Sequence, residues 1–209
     1  MRRWWVLALS GLLAGCVRLT VPTPRMHEYQ LSYSPPALPG SPLSVLVEVG
    51  PIGVAAVYDR EPMVYRDDAH ATGTYVGSRW SANPGPMVTD LLVRDMSTAG
   101  SYRAVQRAPA LLAVDYRLSG EIVEFDEQAA AHACSARLSL RLVLARATAG
   151  QSVLWQRTYD GQAPCACNQP SRLAAAMSQA LAEVSVRLQR DVYEAIATDT
   201  NAVRPPAFP

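Results

Sequence analysis

The chain has 209 residues, 49% hydrophobic and 18% charged, and its 19 basic residues, all arginine, stand against 18 acidic ones for a formal charge of +1. So large an apolar share sets it apart from disordered and fibrous sequences and suffices for a sizeable buried core. The balance is near neutral with no basic block, which gives nucleic acid no footing, and no apolar run reaches the roughly 18 residues that a membrane-spanning helix needs.

In chain order, Arg2 and Arg3 precede an apolar run of eleven residues from Trp4 to Ala14. That is the length of the apolar core of an export signal and too short to cross a bilayer. Leu13-Ala14-Gly15-Cys16 resembles the bacterial lipobox, in which residues 1–15 are removed and the cysteine becomes an acylated N-terminus. An ordinary secretory cleavage site would account for Ala14 and Gly15, but not for Leu13 and Cys16. Cys16 is therefore expected to carry fatty acyl chains such as palmitate, and more than one chain makes the anchor stable. By resemblance to enterobacterial lipoproteins, Val17 in place of an aspartate favours the outer membrane, on its periplasmic face. Loss of two arginines with the signal turns the formal +1 into −1.

Residues 16–42 hold Pro22, Pro24, Pro35, Pro36, Pro39 and Pro42 with little apolar periodicity. This reads as an extended tether, reaching at most roughly 80 Å at about 3.1 Å per residue. Residues 43–198 read as one domain and 199–209, rich in proline, as a loose tail.

Within the domain, Leu43–Val49 is apolar and β-branched, a first strand. A Gly/Pro-punctuated segment follows, with short strands at Met63–Arg66 and Thr74–Val76. Asn83-Pro84 supplies an N-cap and an N1 proline for a helix that carries Met87, Val88, Leu91, Leu92 and Met96 and ends at Gly100. Tyr102–Arg107 and Tyr116–Phe125 are strands. Arg137–Ala145 alternates Leu138, Leu140, Leu142 and Leu144 on one face, and Ser152–Tyr159 returns through a turn at Thr148–Gly150. Pairing Arg146 with Gln151 sets Leu142 opposite Trp155 and Leu144 opposite Val153. From Pro170 or Ser171 a long helix carries the stripe Leu173, Met177, Leu181, Val184, Leu188, Val192, Ile196, which suits either a sheet or a partner helix. The pattern predicts an α+β fold: an antiparallel sheet of about four to five strands with two main helices on one face.

Chemistry-bearing motifs are few. His27, His70 and His132 lack metal-ligand spacing, and nucleophile elbows, phosphate loops and dinucleotide fingerprints are missing, so no cofactor and no metal is expected. Asp67-Asp68 and Asp126-Glu127 read as solvated charge pairs. Cys134, Cys165 and Cys167 remain in an exported, oxidising setting, where an odd number leaves one thiol over. The hairpin register puts Cys134 opposite Ala163 and Cys165 one diagonal step away, so Cys134–Cys165 is the expected disulfide, with Cys167 as the alternative partner. Soft-metal binding by the three sulfurs is the competing reading.

"VEVGPIGVAAVYDREPMVYRDD" followed by "YVGSRWSANPGPMVTDLL" and "LSGEIVEFD" resembles the ABC-type transport auxiliary lipoproteins, the PqiC-like group that accompanies MCE-domain lipid transport systems. The matching pieces run from Tyr29-Gln30-Leu31 to the last helix, and the three cysteines and the loop Asp67–Thr74 depart from the pattern. The resemblance implies a fold similar to the amino-terminal domain of TolB. It also implies a non-enzymatic outer-membrane lipoprotein, assembled as a homo-oligomeric ring, working with an MCE-domain periplasmic protein and ABC transporter subunits on lipid or organic-solvent traffic. Tyr58, Tyr65, Arg66, Arg79 and Trp80 are the expected partner-binding residues where they are exposed; for Tyr58, Tyr65 and Trp80 a core position is equally open, and the two arginines have acidic neighbours of their own. A thiol- or metal-binding lipoprotein and an envelope-assembly regulator that touches a cell-wall synthase are the alternatives.

Overall fold

In the computed structural model, residues 25–37, 40–130, 133–147 and 152–203 are described, so Cys16, the signal, the first nine residues of the proline tether, His132 and the last six residues lie outside them. The elements are β1 (His27–Tyr29), β2 (Leu43–Val54), β3 (Pro62–Arg66), β4 (Thr72–Trp80), α1 (Pro84–Thr98), β5 (Tyr102–Arg107), β6 (Tyr116–Ala130), β7 (Ala133–Arg146), β8 (Val153–Cys165) and α2 (Pro170–Val203). Helix α1 begins as its sequence requires: Asn83 accepts from the Gly85 N–H and Pro84 takes the first position, where no N–H is needed. Gly100, with φ of 65°, lets the chain leave the helix.

Eight strands form a single mixed sheet in place of the expected four or five antiparallel ones. Strand β6 is its trunk. β7 pairs antiparallel along one edge of β6. The other edge is shared, β2 lying parallel at Tyr116–Ile122 and β3 parallel at Glu127–Gln128. β5 extends the sheet beyond β2, and β4 then β1 extend it beyond β3. Of seven pairings four are parallel, because α1 carries the chain from β4 to β5 and residues 108–115 carry it across β2 to β6. Only β3–β4, β6–β7 and β7–β8 are the hairpins that local pattern can reveal.

The β7–β8 register also differs from expectation. Leu144, not Leu142, faces Trp155, and an irregularity between Leu144 and Ala145 takes up one residue of that two-residue offset. The shift leaves both leucines on the buried face, since alternation preserves it. Helix α1 covers β2 and β5, and α2 covers β7 and β8. All seven stripe residues of α2 are buried against the sheet side, which removes the partner-helix reading. The contact is close enough that a Cβ on Gly161 would lie 2.8 Å from the Ala180 carbonyl oxygen.

The described part of the supposed tether is docked. Residues 27–29 add β1 to the sheet edge beside Ser78–Trp80, and Leu31 is buried. The strap then crosses the helix layer: the Ser32 N–H donates to Ser178 Oγ at 3.0 Å, and the Tyr33 hydroxyl donates to Asp95 Oδ2 at 2.6 Å. Farther along, the Tyr193 hydroxyl donates to the Ser41 carbonyl oxygen at 2.9 Å. The tail is shorter than expected as well, because α2 runs through residue 203.

Asp95 is fully buried. Its carboxylate also accepts from Ser185 Oγ of α2 at 2.6 Å and from the Arg94 guanidinium, whose carbon sits 4.5 Å from the Tyr33 ring centre. Burial first, then Asp95, pushes the Tyr33 hydroxyl far above the ordinary tyrosine range, so it stays a donor at any working pH. Tyr33→Phe is expected to cost about 1–2 kcal/mol, seen in thermal unfolding as a drop of about 2–4 °C per kcal/mol. An unchanged midpoint would mean that the strap does not hold the helices.

Candidate functional site

Chemically active side chains concentrate where β6 passes beyond the end of β2. Because β6 continues to Ala130, Asp126 and Glu127 are interior strand residues, 1% and 3% exposed, and not a solvated pair. Neighbouring residues point to opposite faces of the sheet, so the two build separate clusters.

On one face, Glu127 Oε1 accepts from the Tyr75 hydroxyl at 2.8 Å and from the Asn168 N–H at 3.4 Å, and the Cys165 thiol lies 3.8 Å from Oε2. Tyr65 stands opposite Glu127 in the ladder, its ring 5.1 Å from that of Tyr75. The disulfide joins Cys134 to Cys167, with Cα atoms 5.1 Å apart, and Cys165 is the free, half-buried thiol. This corrects the expected Cys134–Cys165 pairing. Cys165 does lie directly opposite Cys134 in the ladder, two positions from the expected register, yet the bond reaches past it to the residue beyond the strand end. Burial, then the Glu127 charge, pushes the Cys165 thiol up to about 11, so it is protonated and unreactive near neutrality. Open grooves of about 590 Å³ beside Cys165, Gln169 and Arg172, and of about 440 Å³ beside Cys134 and Gln162, flank the cluster.

On the other face, the Tyr58 hydroxyl donates to Asp126 Oδ2 at 2.8 Å, and Arg66 reaches both, with Nε 3.1 Å from Oδ2 and Nη2 2.6 Å from the Tyr58 oxygen. Desolvation, then the bond to Asp126, pushes the Tyr58 hydroxyl up to about 12. Tyr58 and Trp80 are each only 2% exposed, and Trp80 meets Phe125 edge-on at 5.1 Å. Both are core residues, so of the two open placings the core one holds and neither belongs to a partner surface: an indole or phenol covered by its own sheet has no area left to give.

Arg79 stays at the surface, bound to Glu28 at 2.5 Å and to Glu61 at 3.2 Å, so that it fastens β1 to β4. Tyr65, Arg66 and Arg79 keep partial exposure, and the same wing shows Met26 and Val76, the latter 91% exposed. A second apolar projection is Leu111 and Leu112, on the segment that crosses β2. Sequence reasoning missed Glu127 and Tyr75; an extended strand end would have revealed that Glu127 must be inside.

Among the described residues no group of three or more His, Cys, Asp or Glu is placed to hold a metal ion, and two of the three sulfurs are bonded to each other. No helix among them is long and apolar enough to cross a membrane.

The two arginines respond differently to truncation. Arg66→Ala strands a fully buried carboxylate and is expected to cost about 2–3 kcal/mol in urea unfolding, whereas Arg79→Ala, an exposed pair, should leave the midpoint within error. Equal effects would show that Asp126 does not depend on Arg66.

A family model described as ABC-type transport auxiliary lipoprotein component matches residues 29–189. The fold is similar to protein XCC0632 from Xanthomonas campestris, with a TM-score of 0.77 at 23% identity over 84% of this chain and 99% of that one. A second solved protein, uncharacterized, gives 0.64 at 14% identity over 80% and 99%. The hypothetical protein CT253 from Chlamydia trachomatis gives 0.50 at 11% over 72% and 98%. No curated protein matches by sequence.

Proposed function

The chain belongs to the ABC-type transport auxiliary lipoprotein component family, a group of envelope-anchored transport accessories, and from that premise we propose a specific role for it. It is a non-enzymatic lipoprotein held at the outer membrane through Cys16, an accessory of an ABC/MCE-type lipid or organic-solvent transport system. Its partners are an MCE-domain periplasmic protein and the ABC subunits, met by a homo-oligomeric ring.

The observation that carries the proposal is the family match over residues 29–189 directly behind a lipobox-like Leu13-Ala14-Gly15-Cys16. Two structural features support it. The segment from His27 to Tyr33 is built into the sheet edge and the helix layer, so the chain that follows the lipobox joins the domain at a fixed point. The buried carboxylates Asp95, Asp126 and Glu127 are taken up by hydroxyl, guanidinium or backbone donors, an arrangement suited to stability and not to proton transfer. The surface offered to partners is the β1–β4–β3 wing with Tyr65, Arg66, Arg79, Met26 and Val76.

In-cell crosslinking of the lipidated protein, followed by affinity purification and mass spectrometry, is expected to recover an MCE-domain protein with its ABC subunits. Recovery of cell-wall synthases without transport components would overturn this reading in favour of an envelope-assembly regulator. Cys16→Ser is expected to move the protein from the membrane fraction to the soluble periplasmic fraction; retention in the membrane would remove the anchor from the proposal.

A further inference from the structure

We propose that Cys134, Cys165 and Cys167 form an internal thiol–disulfide exchange site, in which the bond passes between Cys134–Cys167 and Cys134–Cys165. The exchange moves the free thiol from a half-buried place in β8 to the exposed approach to α2.

The placement follows from the ladder. Cys134 and Cys165 are Cα partners on the antiparallel β7 and β8. Directly opposed residues in such a pair lie about 4.5–5.5 Å apart with side chains on one face, inside the roughly 4.4–6.8 Å span of natural disulfides. Cys134 is already bonded to Cys167 at a Cα separation of 5.1 Å. One sulfur therefore has two partners at bonding separation, with only Ala166 between them in sequence. Cys167 lies past the end of β8, in an exposed segment where the Asn168 N–H contact with Glu127 is long, at 3.4 Å. Releasing it disturbs no strand pairing.

The step is balanced within the chain. Cys165 gives its proton to solvent, and the thiolate attacks Sγ of Cys134. A Cys134–Cys165 bond forms as the Cys134–Cys167 bond breaks, and the electron pair leaves on Cys167 Sγ, which takes up a proton. One disulfide and one thiol stand on each side, so no oxidant or reductant enters.

The groups that face Cys165 set its pace. Glu127 from β6, oriented by Tyr75 of β4, opposes the thiolate, the Ala136 N–H of β7 favours it, and Arg172 of α2 lines the same groove. Exchange is accordingly slow at neutral pH and quickens as pH rises toward the thiol's raised value, because only the thiolate attacks. The arrangement makes an accessible thiol available for a mixed disulfide with another protein only after exchange.

The test uses the purified, oxidised full chain treated with N-ethylmaleimide at neutral pH and at about pH 9, then mapped by peptide mass spectrometry. The expected result is label on Cys167 with Cys134 linked to Cys165, in a fraction that grows with pH and time and is independent of protein concentration. Label on Cys165 alone, at either pH, would overturn the proposal, as would a dependence on concentration that marks exchange between molecules. The Cys167→Ser variant gives an independent readout: it should form Cys134–Cys165 and leave neither of those thiols open to label, whereas label on both Cys134 and Cys165 in a folded Cys167→Ser protein would sink the idea.

Discussion

A single buried carboxylate ties the N-terminal strap to both helices. Asp95 lies on α1, yet its oxygens are taken up by Tyr33 from the strap and Ser185 from α2, with Arg94 supplying the neutralising charge. An ionised carboxylate without such partners would cost several kcal/mol in this position. The contacts therefore share that cost: losing one leaves the other two in place and forfeits only part of it. Asp95 is also the reason an otherwise unremarkable proline-rich segment has a defined path over the domain.

The sheet depends on a second constraint, the length of β6. Fifteen residues give β6 room for β7 along one edge and for two different strands along the other. The first half, with β2 and β5, forms the floor under α1; the second half, with β3, β4 and β1, forms the wing where the described N-terminal segment joins the sheet. The change of neighbour follows an irregularity between Ile122 and Glu124, after which Phe125 and Glu127 face one side and Asp126 the other. Both carboxylate clusters thus sit on the one stretch of β6 beyond that irregularity.

What remains at the surface is correspondingly selective. Several charges pair with a neighbour across the sheet: Arg141 with Glu121, Arg117 with Glu48, Arg137 with Glu124. Among the exposed apolar residues, Met26 and Val76 lie on the wing and Leu111 and Leu112 on the crossing segment, while Val153 stands apart at the start of β8. Such patches suit contacts with other proteins better than a small-molecule site, which would need an enclosed pocket with converging polar groups.

The positions of nearly every helix and strand were legible in the chain, because amphipathic periodicity and capping are local properties. The Leu138–Leu144 alternation, the α2 stripe and Asn83-Pro84 each name their element without reference to anything distant. The family was legible as well, from the order and spacing of its matching pieces. The parallel pairings, strand β1, the burial of Tyr58 and Trp80, and the Cys134–Cys167 bond were decided by the tertiary structure. Strand β1 has three residues and no periodicity, and it exists because β4 offers an open edge. Glu127 read as a solvated residue because a carboxylate's environment depends on what the rest of the chain folds over it. Pattern along a chain records which face of an element is apolar; which element covers that face depends on long-range packing, for which the local sequence carries no signal.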